Sequence, residues 1–228
     1  NDGMYDLTFM SEGTIYANKD SSYLFYDLTN LTSIDLSNFK TDVVKDMSYM
    51  FYNCRGLTSL DVSNFNTSQV ADMNSMFYNC SGLTSLDVSN FNTSQVTDMG
   101  QMFWQCSGLT SLDVSNFNTS QVTNMNSMFY DCSGLTSLDL SNFNTSQVMS
   151  MKYMFQSCRG LTSLYVSEYN SATQKGWTTI NVTESSRMFE FCTKLVGGNG
   201  TKYNSSYKDA TYARIDTAST PGYFTKKN

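Results

Sequence analysis

From Tyr23 onward the apolar residues of this chain recur in columns. Shifting the frame by 26 residues superimposes Cys54, Cys80, Cys106, Cys132 and Cys158, and with them Leu57, Leu83, Leu109, Leu135 and Leu161. A fixed period of this size marks a stacked-repeat architecture, in which each unit buries its core against its neighbours. Within one unit the pattern changes. Leu60, Asp61, Val62 and Ser63 alternate apolar and polar, which predicts a short half-buried strand. Val70, Met73, Met76, Phe77 and Cys80 then recur at three and four residues, which predicts a short helix with one apolar face. Asp46, Asp72, Asp98, Asn124 and Ser150 fill the column before that helix, where N-caps sit. Gly56, Gly82, Gly108, Gly134 and Gly160 follow its end, where a left-handed residue is expected. Paired strands stand about 4.8 Å apart and packed helices about 8 to 10 Å. An α/β repeat of this kind is therefore expected to bend, with the parallel sheet concave and the helices convex.

The ends depart from the period. Residues 1–22 precede it, and there Tyr5, Leu7 and Phe9 alternate with polar residues while Ile15 and Tyr16 form a second apolar pair. One or two strands of an N-terminal cap are expected from them. The repeats are assigned to residues 23–195. Cys158 and Cys192 are 34 residues apart, eight more than the period, and the extra length falls within 165–183. Residues 196–228 are assigned to a C-terminal cap with some strand, ending near Phe224.

L-x-x-L-x-[VL], S-N-F-N-T-S-Q-V and M-x-x-M-F-x-x-C-x-x-L together resemble the bacterial surface-protein 26-residue repeat, the BspA-like branch of the leucine-rich repeats. The resemblance implies a leucine-rich-repeat solenoid with a parallel concave sheet, short convex helices and terminal caps. One departure is visible. Phe39, Phe65, Phe91, Phe117 and Phe143 hold the place where Asn usually ends the strand motif. The turn is then expected to be closed by neighbours such as Asn64 and Asn66, in place of the usual buried Asn ladder.

Composition narrows the function. A net charge of −6 and a pI near 4.5 argue against nucleic acid, where a basic stripe supplies much of the affinity, and against anionic membrane surfaces. No run of eighteen apolar residues and no basic-then-apolar N-terminus occurs, so this segment is expected to hold neither a membrane span nor a signal peptide. An export signal and an anchor are expected outside it. Histidine is absent, which removes the commonest general base and metal ligand, and no nucleophile elbow, phosphate loop, HExxH or EF-hand spacing appears. No enzyme activity, cofactor or metal is expected. The six cysteines fall at one place in each unit, so they read as buried free thiols; helix spacing would hold neighbouring pairs beyond the roughly 7 Å that a disulfide can bridge.

Two columns carry candidate recognition chemistry. Asp61, Asp87, Asp113 and Asp139 face outward from successive strands, either as a solvated row or as a site for cations or a basic partner. Tyr78, Trp104 and Tyr130 follow the buried Phe of successive units, either packing against one another or forming a sugar platform. The units 57–82 and 83–108 differ only at Ala71, Asn74, Ser75, Tyr78 and Asn79, spaced as one helix face. A partner needing a unique epitope is expected there, around Trp104, or at the irregular segment near Trp177; a basic or repetitive partner is expected on the concave Asp row. Triplets such as Asn66-Thr67-Ser68 are read as turns whose side chains bond the backbone. The expected function is a non-catalytic, adhesin-like binding module of a bacterial surface or secreted protein, monomeric, with an extracellular protein or glycan as ligand. A structural spacer, a carbohydrate-binding module and, last, a carbohydrate-active enzyme are the alternatives.

Overall fold

The computed structural model describes residues 3–8 and 13–227, wound into a stack of parallel coils. The expected convex helices are absent: between Met73 and Cys80 no N–H bonds the carbonyl four residues back. Instead the amides alternate. Met73, Ser75, Phe77 and Asn79 donate to Asp98, Gly100, Met102 and Trp104 of the next coil, at 3.1, 2.9, 2.9 and 2.6 Å. Met76, Tyr78 and Cys80 donate three residues back within their own coil, at 3.3, 3.1 and 3.2 Å. Every second N–H thus ties two coils together and the others close a run of β-turns. Ser75 and Asn79 hold left-handed φ values of 56° and 54°, at the third position of alternate turns, where type II turns require it.

This arrangement repeats along the stack. Left-handed pairs four residues apart include 49 and 53, 101 and 105, and 127 and 131. The column expected to cap helices, Asp46, Asp72, Asp98, Asn124 and Ser150, is extended by Asp20 before it and Glu184 after it, and together they form six successive parallel bridges. Its side chains cap turns: Asp72 Oδ1 accepts the Asn74 N–H at 2.8 Å, and Asp98 Oδ1 that of Gly100 at 2.7 Å. The helix fails for a physical reason. Eight residues with Asn and Ser among them make a marginal helix, whereas the turn run gains an inter-coil bond at every second residue. The glycines after it also differ from expectation. Gly82 has no left-handed φ; a Cβ there would stand 2.6 Å from the carbonyl oxygens of both Arg55 and Leu57. These glycines are needed because the preceding coil's backbone approaches that closely.

The parallel sheet is likewise confined. Strand β1 (Tyr5–Thr8) pairs in parallel with β3 (Leu31–Asp35), and β2 (Ile15–Tyr16) with β4 (Phe39–Lys40). At the other end β5 (Ser137–Asp139), β6 (Ser163–Val166) and β7 (Phe224–Lys226) form one parallel sheet. Phe9, expected in the first strand, lies outside the described residues. In the central coils no backbone hydrogen bond joins 59–63 to 85–89 or 85–89 to 111–115 among the described residues. The continuous parallel ladder runs along the turn half, opposite the predicted strands. Ring spacing agrees: 4.2 Å for Tyr52–Tyr78 and 4.1 Å for Tyr78–Trp104 on the ladder side, against 5.8 Å for the buried Phe77–Phe103 pair and 6.2 Å for Phe39–Phe65 toward the other half. Without helices the reason for a concave Leu-x-x-Leu sheet is gone.

Side chains close the looser half. Asn90 Nδ2 donates to the carbonyls of Val62, Ser63 and Phe65 in the preceding coil at 3.0, 3.1 and 3.0 Å. Asn64 and Asn116 do the same. An asparagine ladder therefore exists, one residue before the Phe column, as the closing role expected of Asn64 required. Thr93 is buried, and its hydroxyl donates to Asn118 O at 3.0 Å while accepting the Asn118 N–H at 2.8 Å. Asn66 Oδ1 accepts the Ser68 N–H at 3.1 Å, the backbone-bonding role expected of the N-x-[ST] triplets.

All six cysteines are buried and free. The spacing argument for this does not hold, because the coils on their side are joined at strand distance. Each thiol is instead directed at a backbone carbonyl: Cys106 Sγ donates to Phe77 O at 3.1 Å and Cys132 Sγ to Phe103 O at 3.0 Å. Burial pushes the thiols of Cys106 and Cys192 up to about 12.

Three outcomes follow from this packing. Far-ultraviolet circular dichroism should show no helical signature. Thr93→Val, which keeps the shape but strands both the N–H and C=O of Asn118, should destabilise by about 1 to 3 kcal/mol in denaturant melts. The cysteines should resist alkylation until the chain unfolds. Since folding raises their pKa, unfolded thiols ionise first, so this stabilisation is complete below the ordinary thiol value of 9.0 and is lost as pH climbs toward about 12. Melts across that window would read the decline, and rapid native-state labelling would contradict it.

Candidate functional site

The outward Asp row is built by local turns. Asp61, Asp87 and Asp113 each use Oδ1 to accept the N–H of the serine two residues on, at 2.9 Å in every case. Each lies exposed. The serine hydroxyl, and then its N–H, hold these carboxyls below their ordinary value, so all three are ionised at neutral pH. Asp139 differs. It is half-buried, and its Oδ2 lies 2.8 Å from Lys227 Nζ. Burial opposes its ionisation, but Lys227 and Ser141 outweigh that and the carboxyl remains below its ordinary value. The structure thus brings three of the four predicted carboxylates into one open row and gives the fourth to the C-terminal segment.

The aromatic column forms a continuous stack. Tyr52, Tyr78, Trp104 and Tyr130 pile face to face with centroids 4.2, 4.1 and 5.0 Å apart and planes within 13°. Their faces cover one another, so only ring edges meet solvent. Burial, with the hydrogen bond that the Tyr78 hydroxyl donates to Tyr52, raises that hydroxyl above its ordinary value. The column ends where Gln156 takes the next place and donates to Glu190 Oε2 at 2.8 Å. A sugar lying flat on these rings has no free face to use.

The positions that differ between the two central units do not share one solvent face. Ser75 is fully buried and bonds Asn74 Oδ1 and Gln101 Oε1 at 2.8 and 3.1 Å. Ala71 is exposed, and Asn74, Tyr78 and Asn79 are half-buried. Positions 75 and 79 are the left-handed sites, so the four-residue spacing reflects turns. Trp177 is buried as well. Its Nε1 donates to Ala213 O at 3.0 Å, and its ring meets Phe224 edge-on at 4.8 Å. The insertion is thereby pinned to the C-terminal segment, and Trp177 is not available as an exposed anchor.

Sequence reasoning missed two cavities that flank the insertion. One of about 480 Å³ lies between it and the C-terminal segment, over Val166, Trp177 and Arg214. The other, of about 570 Å³, opens between it and the Asn-lined seam of the last regular coils. Ser167 and Glu168 form the wall common to both. The signal was present: Glu168 occupies the column filled by Asn64, Asn90, Asn116 and Asn142, and a carboxylate cannot donate to a carbonyl.

No curated protein matches the chain. A crystal structure of a T. pallidum leucine-rich repeat protein is similar over 71% of this chain and 69% of that one, with 18% sequence identity and a TM-score of 0.46. The family model described as Mycoplasma protein of unknown function, DUF285, matches residues 19–112, 80–195 and 110–220, well over half of the sequence. With its 26-residue units and leucine columns, the chain belongs to this DUF285 family, a BspA-like family of leucine-rich-repeat type.

Proposed function

We propose that this chain is a non-catalytic binding module of a bacterial surface or secreted protein, and that it docks a basic extracellular protein along the Asp61, Asp87 and Asp113 row. The observation that carries this reading is the identical fixation of three exposed, ionised carboxylates on neighbouring coils, each bonded through Oδ1 to the serine two residues on. A fixed row of like charges raises the local concentration of cationic partners and speeds their encounter. Membership in a repeat family supports protein binding, and the repeated Ser and Asp side chains are accounted for by turn geometry. In this reading residues 1–22 and 196–228 act as caps that leave the row between them accessible.

The triple substitution Asp61, Asp87 and Asp113→Asn tests the proposal cleanly, because Asn keeps the Oδ1 acceptor for each serine N–H while removing the charge. Binding to an immobilised Lys-rich peptide should fall by roughly tenfold and lose most of its salt dependence, with the thermal melt unchanged. Asp139→Asn should have little further effect, since Lys227 already neutralises that carboxylate. Unchanged binding by the triple variant, together with loss in Trp104→Ala, would move recognition to the turn side.

A further inference from the structure

The asparagine ladder fails at one seam. Asn116 Nδ2 donates to Val88, Ser89 and Phe91 carbonyls at 3.0, 3.1 and 2.9 Å. One coil later Asn142 bonds a single carbonyl, that of Ser115. The next place in the column is Glu168, which has no N–H to offer and is paired with Lys226 at 2.6 Å. Because Asn142 reaches only Ser115, Phe117 O, whose counterparts at Phe65 and Phe91 receive asparagine N–H groups at 3.0 and 2.9 Å, receives no donor from the described residues. The cavity of about 570 Å³ sits over this opened seam, within the roughly 300 to 1,000 Å³ range of small-molecule sites.

Its far wall is the insertion, held firmly. Gly176 O accepts the Thr145 N–H at 3.2 Å, and Asn170 bridges Lys175 across a tight hairpin. Gly176 has φ +100°, and a Cβ there would stand 2.5 Å from Glu168 O, so only glycine closes the hairpin at this point.

The groups facing the cleft are mostly amides with one end committed. Asn118 and Asn144 each use Oδ1 to accept a serine N–H at 3.1 Å, leaving Nδ2 without a partner among the described residues. Asn116 and Asn142 do the reverse, donating through Nδ2 and leaving Oδ1 open. Two amide donors, two amide acceptors and the Phe117 carbonyl therefore surround one space, with Glu168 and Lys175 as its opposing charges. An anion would meet the open acceptors unfavourably. An apolar ligand would bury them unpaired, at a cost of about 1 to 3 kcal/mol each. An extended peptide pairs with a single backbone row, whereas these groups are spread across two coils. Sugar hydroxyls donate and accept at one oxygen and are spread over a ring, which suits this set.

We propose that the cleft between the Asn116–Asn144 seam and the 167–176 hairpin binds a short neutral oligosaccharide, with Asn118 and Asn144 donating and Phe117 O, Asn116 and Asn142 accepting. The site is independent of the acidic row and survives the failure of that reading.

The experiment is an array of short neutral hexose and N-acetylhexosamine oligosaccharides, with acidic oligosaccharides alongside, probed with the whole chain. Wild type should bind at least one neutral member. Asn118→Asp and Asn144→Asp keep the Oδ1 that caps each turn but lose the donor, and each should weaken binding by about tenfold, the loss of one well-made hydrogen bond. Asn92→Asp makes the same change in the same column outside the cleft, where Asn92 Oδ1 caps Ser94 at 3.1 Å, and should bind as wild type does. No binding to any neutral oligosaccharide, binding to acidic sugars alone, or equal weakening by Asn92→Asp would overturn the proposal.

Discussion

The stack depends on the direction in which the amides of its turn half point. Because every second N–H reaches the next coil while the others stay within their own, one short segment forms both a ladder and a run of turns. The ladder sets coil spacing near that of paired strands, and every column inherits the register. The Phe77, Phe103 and Phe129 rings stack at 5.8 Å because their backbones are held that way. The cost is a pair of left-handed residues in each coil, of order 1 to 2 kcal/mol apiece for side chains bearing a Cβ, offset by inter-coil bonds that no isolated coil could make. A single coil has no reason to adopt this shape, whereas a coil with neighbours does.

Opposite the ladder the logic reverses. There the central backbones do not bond one another, and the seam is closed by asparagine amides and threonine hydroxyls. A side-chain seam is sensitive to residue identity in a way that a backbone ladder is not. Ser75 and Gln101 can share one left-handed column because the ladder beneath them uses only main chain. A carboxylate at the Asn column opens the seam, because it changes a donor into an acceptor. Glu168 does this toward the coil before it, where the insertion begins; one coil earlier Asn142 bonds only Ser115 O, and the inserted hairpin beside that loosened seam makes the cleft.

Much of this was legible in the sequence. The period, the buried columns with their cysteines, the short strands near the start and the strand near Phe224 all follow from apolar spacing, which reports burial whatever the local conformation. The helix did not follow, for the same reason. Turns that repeat every four residues place Met73, Met76, Phe77 and Cys80 inward almost as a helix of 3.6 residues per turn does, and the difference lies in N–H direction, on which apolar spacing is silent. Gly82 was assigned to a left-handed C′ site because glycine serves both that role and close backbone approach. Trp177 looked like an exposed irregularity because its partners, Ala213 and Phe224, are far along the chain. Asp139 looked like its neighbours until Lys227 returned to meet it.

Regularity and its interruption offer different kinds of recognition. A row with one chemistry per coil presents nearly equivalent positions one coil apart, so a cationic partner can shift by a coil with little change in energy. Such a surface favours rapid, salt-sensitive capture over a defined pose. A defined pose needs a place that occurs once, and translation along the stack removes such places wherever the repeat is exact. In this chain the repeat is broken where Glu168 ends the asparagine column and eight extra residues follow. The Trp177 ring is anchored in the core there, which fixes the hairpin against the coils. The wall it braces is therefore tied to the core, and each amide beside it has one end bonded to the backbone, so the oligosaccharide site proposed above would order fewer groups on binding.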